Sequence, residues 1–159
     1  MNKLSSKNSL TKIVIAFSLL GVSQISLALP FTIVPSGTLP TSVSKNGSVN
    51  ASYKITNNTA STRMNNHVRY LPPNVVQTVD NQPGTCTTSF TLSAKGTVND
   101  NCILKLKISG AVDKNDPNPY HHLFVCFPGD VTCAGTAYPL NVHVSFISFS
   151  CSRQIYGYE

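Results

Sequence analysis

Between Ser48 and Ser109 the chain alternates apolar and polar residues in short runs separated by turn formers. Val49, Ala51, Tyr53 and Ile55 fall on one side of a two-residue period, and Asn50, Ser52, Lys54 and Thr56 on the other. The same period returns in Cys102, Leu104, Leu106 and Ile108 against Ile103, Lys105 and Lys107. Successive side chains of a strand point to opposite faces, so each of these segments buries one face and wets the other. Asn57-Asn58-Thr59, Pro72-Pro73, Asn81-Gln82-Pro83-Gly84 and Lys95-Gly96 break the runs with residues that favour turns. Strands are expected over 48–57, 67–71, 75–79, 87–92 and 102–108, and outside the block over 31–34, 122–127 and 140–146. No segment after residue 28 sustains a helical period. The expectation is an all-β fold, an immunoglobulin-like antiparallel β-sandwich of about seven or eight strands.

The first 28 residues stand apart. Lys3, Lys7 and Lys12 precede a ten-residue, largely apolar run from Ile13 to Val22, and Ser26-Leu27-Ala28 places small residues where a signal peptidase cuts. That run is too short to span about 30 Å of hydrocarbon. The organisation expected is a cleaved signal peptide at 1–28, one domain at 29–146 and a short C-terminal tail at 147–159. The chain is then secreted, periplasmic or displayed at the cell surface, with no stable membrane insertion after cleavage. Three of the twelve Lys and Arg leave with the leader, so nine basic residues face six acidic ones, and the formal +6 becomes +3. Those that remain are scattered, and Lys105 and Lys107 are most simply the solvated face of one strand. Nucleic-acid binding needs a dense basic stripe, and none is present.

Five cysteines in an exported chain point to disulfides. Any one can be left over while four pair three ways, which leaves fifteen schemes. Chain order favours two local bridges. Cys86 with Cys102 closes fifteen intervening residues, worth about 3 kcal/mol in the chain-entropy model. Cys126 with Cys133 closes six around the turn-forming Phe127-Pro128-Gly129-Asp130, and Cys151 is then unpaired.

The stretch Ser52-Tyr53-Lys54-Ile55-Thr56-Asn57-Asn58-Thr59, followed by Leu71-Pro72-Pro73-Asn74-Val75, Cys86, Leu92-Ser93-Ala94-Lys95-Gly96 and Cys102-Ile103-Leu104-Lys105-Leu106, resembles a bacterial immunoglobulin-like surface module of the DUF11-like kind. It is similar in particular to the N-terminal module of secreted proteins of intracellular gamma-proteobacteria, over about Phe31 to Val144. The resemblance implies an immunoglobulin-like fold and a secreted or surface location. It carries no catalytic residues, cofactor or ligand set to transfer.

Several chemistries lack their parts. After residue 28 there is one Glu, Glu159, and five Asp, each in or beside a turn signal, whereas glycosidases need two carboxylates flanking a cleft. No nucleophile elbow, H-E-x-x-H, phosphate loop or C-x-x-C occurs. His121 and His122 with Cys126 and Cys133 are the best metal candidates, but oxidation removes the thiolates and adjacent strand residues face opposite ways. Structural histidines beside a disulfide-closed hairpin are the simpler reading. Asp113, Asn115 and Asp116 alternate as calcium ligands do, without the Gly and late Glu of an EF-hand loop, and a turn shaped by Pro117 and Pro119 is expected instead. Phe146, Phe149, Tyr156 and Tyr158 make either a sticky edge or a frayed end. Asn46, Asn50 and Asn57 head N-x-S/T sequons, which matter only in a eukaryotic secretory pathway. The expectation is therefore a non-enzymatic module for protein–protein contact, with no cofactor. A structural spacer, or a shortened remnant of a larger secreted protein, is the alternative, and a small hydrolase using His121 or His122 is the third.

Overall fold

The computed structural model describes residues 29–130 and 132–146, so the expected leader and the tail with Phe149, Cys151, Tyr156 and Tyr158 lie outside the described residues. Among the described residues ten strands follow one another: β1 (Phe31–Pro35), β2 (Ser42–Ser44), β3 (Val49–Asn57), β4 (Arg63–Arg69), β5 (Val75–Thr78), β6 (Phe90–Leu92), β7 (Asn101–Ile108), β8 (Phe124–Cys126), β9 (Cys133–Gly135) and β10 (His143–Ser145). They form two four-stranded sheets, β1-β3-β7-β5 and β6-β4-β8-β9, in which every pair is antiparallel. The all-β sandwich read from the alternation is the architecture of the protein.

The central pair β3–β7 carries the clearest alternation and makes the longest ladder, with Ala51 opposite Leu106, Tyr53 opposite Leu104 and Ile55 opposite Cys102. Each of these side chains faces the second sheet, and one cluster joins them to Phe31 and Ile33 of β1, Phe90 and Leu92 of β6, Val125 of β8 and Ala134 of β9. The opposite face of β3 and β7 presents Asn50, Lys54 and Lys107 to water. Tyr53 has no exposed surface, and burial raises its phenol pKa. Its hydroxyl donates to the carbonyl of Tyr138, at 2.8 Å, which ties the link between β9 and β10 to the core.

Three departures from the sequence expectation can be traced to particular residues. Strand β4 starts at Arg63, passes through a register shift at the left-handed Asn65, and stops at Arg69, ahead of Tyr70, also left-handed at φ 55°, and the Pro72-Pro73 pair. Residues 87–89 do not belong to β6. Cys86 N–H instead bonds the Ile103 carbonyl at 2.9 Å, and the Gln77 amide donates to the carbonyls of Cys86 and Thr87, so this stretch straps the open side of the sandwich. Finally, β10 is parallel, not antiparallel: it pairs with β2 in a separate two-stranded sheet, His143 beside Ser42 and Ser145 beside Ser44. Only Val43 of β2 is buried, so three residues gave the alternation too little to register.

Candidate interaction site

The connection from β7 to β8 closes on itself through short polar side chains. Asp113 Oδ1 accepts from the Asn115 N–H at 2.8 Å, and Asp116 Oδ1 accepts from the Asn118 N–H at 2.9 Å. These are the local bonds by which Asp shapes turns. Asn118 then caps a single 3-10 turn, Pro119–His121, in which Pro119 has no N–H to satisfy and the Asn118 Oδ1 accepts from the Tyr120 N–H at 3.0 Å.

Both histidines fold back on Asp116. His121 Nδ1 lies 2.6 Å from the Asp116 Oδ2, and His122 Nε2 lies 3.0 Å from the Asp116 carbonyl. The remaining nitrogen of His121, Nε2, is 3.1 Å from the Asn118 Nδ2. A neutral ring with its proton on Nδ1 satisfies all three groups: it donates to the carboxylate and accepts from the amide. The Asn118 N–H and, after it, the His121 contact hold the Asp116 carboxyl below the ordinary aspartate range.

This turn sets an aromatic ledge. The Tyr120 ring, with 58% of the residue exposed, packs on Tyr70 at 4.7 Å between centroids. The Arg69 guanidinium lies 4.8 Å from the Tyr70 centroid, and Phe124 meets Tyr70 edge-on at 6.4 Å. The Phe124 ring in turn packs over Gly135 of β9, where an added Cβ would come to 3.0 Å from it. Beside the ledge is a pocket of about 240 Å³ with apolar lining from Pro72, Val112, Leu123, Phe124 and Leu140 and polar lining from Asp113, Lys114, His121 and His122.

The acid–histidine contact is two thirds of a nucleophile-activating arrangement. Its third member is not among the described residues: His121 Nε2 meets an amide, and the pocket's hydroxyl, Thr136 Oγ1, donates to Ile33 O and accepts from the Tyr138 N–H. His121 and His122 are not strand neighbours as expected, since the first closes the 3-10 turn and the second precedes β8. Cys126 and Cys133 sit opposite each other in the β8–β9 hairpin and are bonded, as are Cys86 and Cys102. No group of three His, Cys, Asp or Glu among the described residues is placed to hold a metal ion. Asp113 and Asp116 are drawn into backbone turns, as Pro117 and Pro119 suggested. Phe146 is exposed and stands 5.8 Å from Lys45 Nζ. Of the sequon residues, Asn46 and Asn50 are exposed while Asn57 is fully buried.

Sequence reasoning did not single out Arg69, Tyr70 or Tyr120. The signal for Tyr120 was the Asn118-Pro119 pair, which marks an Asn-capped turn, but nothing local announces that Tyr70, fifty residues earlier, lies beneath it. Compared with known proteins, the chain matches no family model, no curated protein and no solved structure.

Proposed function

We propose that this chain is an exported, non-enzymatic, immunoglobulin-like module that contacts another protein through the Tyr120–Tyr70–Arg69 ledge. The observation that carries the reading is an exposed tyrosine held on a second ring by a turn whose polar groups are already satisfied. Tyrosine and arginine are the residues in which contact energy concentrates, and a ring ordered before binding loses little entropy on docking. The immunoglobulin-like part is supported by strand order. The β1-β3-β7-β5 sheet corresponds to strands A, B, E and D of a constant-type sandwich, and β4-β8-β9 to C, F and G, with β6 added beside β4. The bridges differ from that pattern, since neither joins β3 to β8. Export is supported by the two disulfides, which fit an oxidising compartment, and no helix among the described residues is long and apolar enough to cross a membrane.

The test is capture from cell-surface extract by the purified chain, by Tyr120→Ala and by Lys107→Ala, whose side chain leaves the outer face of β7. A partner held by the first and third and bound roughly thirtyfold more weakly by the second is expected, the size of a single hot-spot loss. Equal retention by all three removes the ledge from the function. Retention by none favours the spacer.

A further inference from the structure

Asn118 has one carbonyl oxygen and one amino group, and the two neighbours it serves make different demands on them. The Tyr120 N–H is always a donor, so the Asn118 Oδ1 must face it, and the Nδ2 then faces the His121 Nε2. That arrangement holds only while Nε2 carries a lone pair. A second proton on His121 turns Nε2 into a donor and sets N–H against N–H at the 3.1 Å contact. Rotating the amide by half a turn repairs that contact and spoils the other, because the amino group then meets the Tyr120 N–H. Asn118 can serve the protonated imidazole or the Tyr120 backbone, not both.

We propose that His121 protonation gates the aromatic ledge: with the ring neutral, Asn118 caps Tyr120 and holds it on Tyr70, and with the ring charged, the cap is withdrawn. Regulation of this kind rests on the ledge being the contact surface, as proposed above. Imidazole is the side chain whose ordinary charge change falls between about pH 5 and pH 8. The ionisable groups around the ring are few. Asp116 faces Nδ1 and, held below its usual range, stays anionic throughout. His122 approaches from the start of β8, Asp113 and Lys114 line the adjoining pocket, and Arg69 covers the far side of the ledge on Tyr70. Proton uptake at Nε2 works directly against the cap, because the same amide cannot turn its oxygen to both neighbours. The proton stays on the ring, and no covalent bond changes.

The experiment is an NMR titration of the purified chain from about pH 8 to about pH 5, following the His121 ring carbons, the Tyr120 amide and the Asn118 amino group. The Tyr120 amide proton should move upfield with the His121 midpoint as its acceptor is lost, and contacts between the two tyrosine rings should weaken in step. Asn118→Asp supplies oxygens that can accept from both donors, so in that variant His121 should still titrate while the Tyr120 signal stays flat. A Tyr120 amide that ignores a titrating His121 in the unsubstituted chain overturns the gate, and so does a His121 that remains neutral across the whole range. None of these readouts needs a partner. If Tyr120 responds but Tyr120→Ala leaves capture unchanged, the gate stands and the contact surface falls.

Discussion

At Asn57 the side-chain amino group donates to the carbonyls of Ser61 and Ser93, at 2.8 and 2.7 Å, while its oxygen accepts from the Thr59 N–H and hydroxyl, at 2.9 and 2.7 Å. These bonds fasten the crossover from β3 to β4 onto the connection between β6 and β7, inside a region with no exposed surface at Asn57. Removing the amide deprives the part-buried Ser93 carbonyl and Thr59 N–H of this partner and leaves a void at a fully buried position. Asn57→Ala should therefore lose roughly 2–3 kcal/mol of stability in urea unfolding, well beyond a surface Asn. The same burial closes this sequon to any modifying enzyme, whereas Asn46 and Asn50 stay in solvent. The sequence placed Asn57 where a strand ends and a turn begins, and it is the last residue of β3 with its side-chain oxygen accepting from the Thr59 N–H. Its reach to Ser93, across thirty-six positions, was not readable, because an amide's long-range partners depend on where the chain returns.

At the scale of elements, the β8–β9 hairpin shows why a residue without a side chain can position a site. Gly135 does not take a left-handed backbone, so its conformational freedom is not what the fold uses. What matters is the space above it, which the Phe124 ring occupies and which a methyl group would contest at 3.0 Å. Phe124 links the pocket to the Tyr70 ring, so crowding it disturbs the ledge from below. Gly135→Ala should cost about 1–2 kcal/mol through overpacking. It should also alter the near-ultraviolet dichroism of the tyrosines, while Lys107→Ala, on the exposed face of β7, should leave that spectrum unchanged. Strands with full alternation, β3 and β7, were legible because both faces have fixed environments over eight or nine residues. Strands of three residues, such as β2 and β9, carry a single buried position each and have no period to detect.

For the whole molecule, three aspartates fix how stability should vary with acid. Lys105 holds the Asp80 carboxyl below its ordinary range, the Asn101 amide does so for Asp100, and the Asn118 N–H for Asp116. A carboxyl depressed in the folded state stabilises above its unfolded pKa and loses that contribution as the pH falls through the folded value. Urea midpoints should accordingly be level for these groups above about pH 4 and decline below it. Asp116→Asn should flatten part of that decline, and a midpoint that instead rises with acid would reverse the sign assigned to these groups. By itself the sequence determined the class of the fold, because a two-residue period admits strands only and an apolar face on each demands a second sheet. Chain order brought Cys86 near Cys102 and Cys126 near Cys133, since short loops keep their ends close. The tertiary structure alone decided that β10 lies parallel to β2 and that Tyr70 and Tyr120 meet. Each of those pairs residues far apart in the chain, and the choice is made by which faces remain uncovered once the two sheets have closed on their common core.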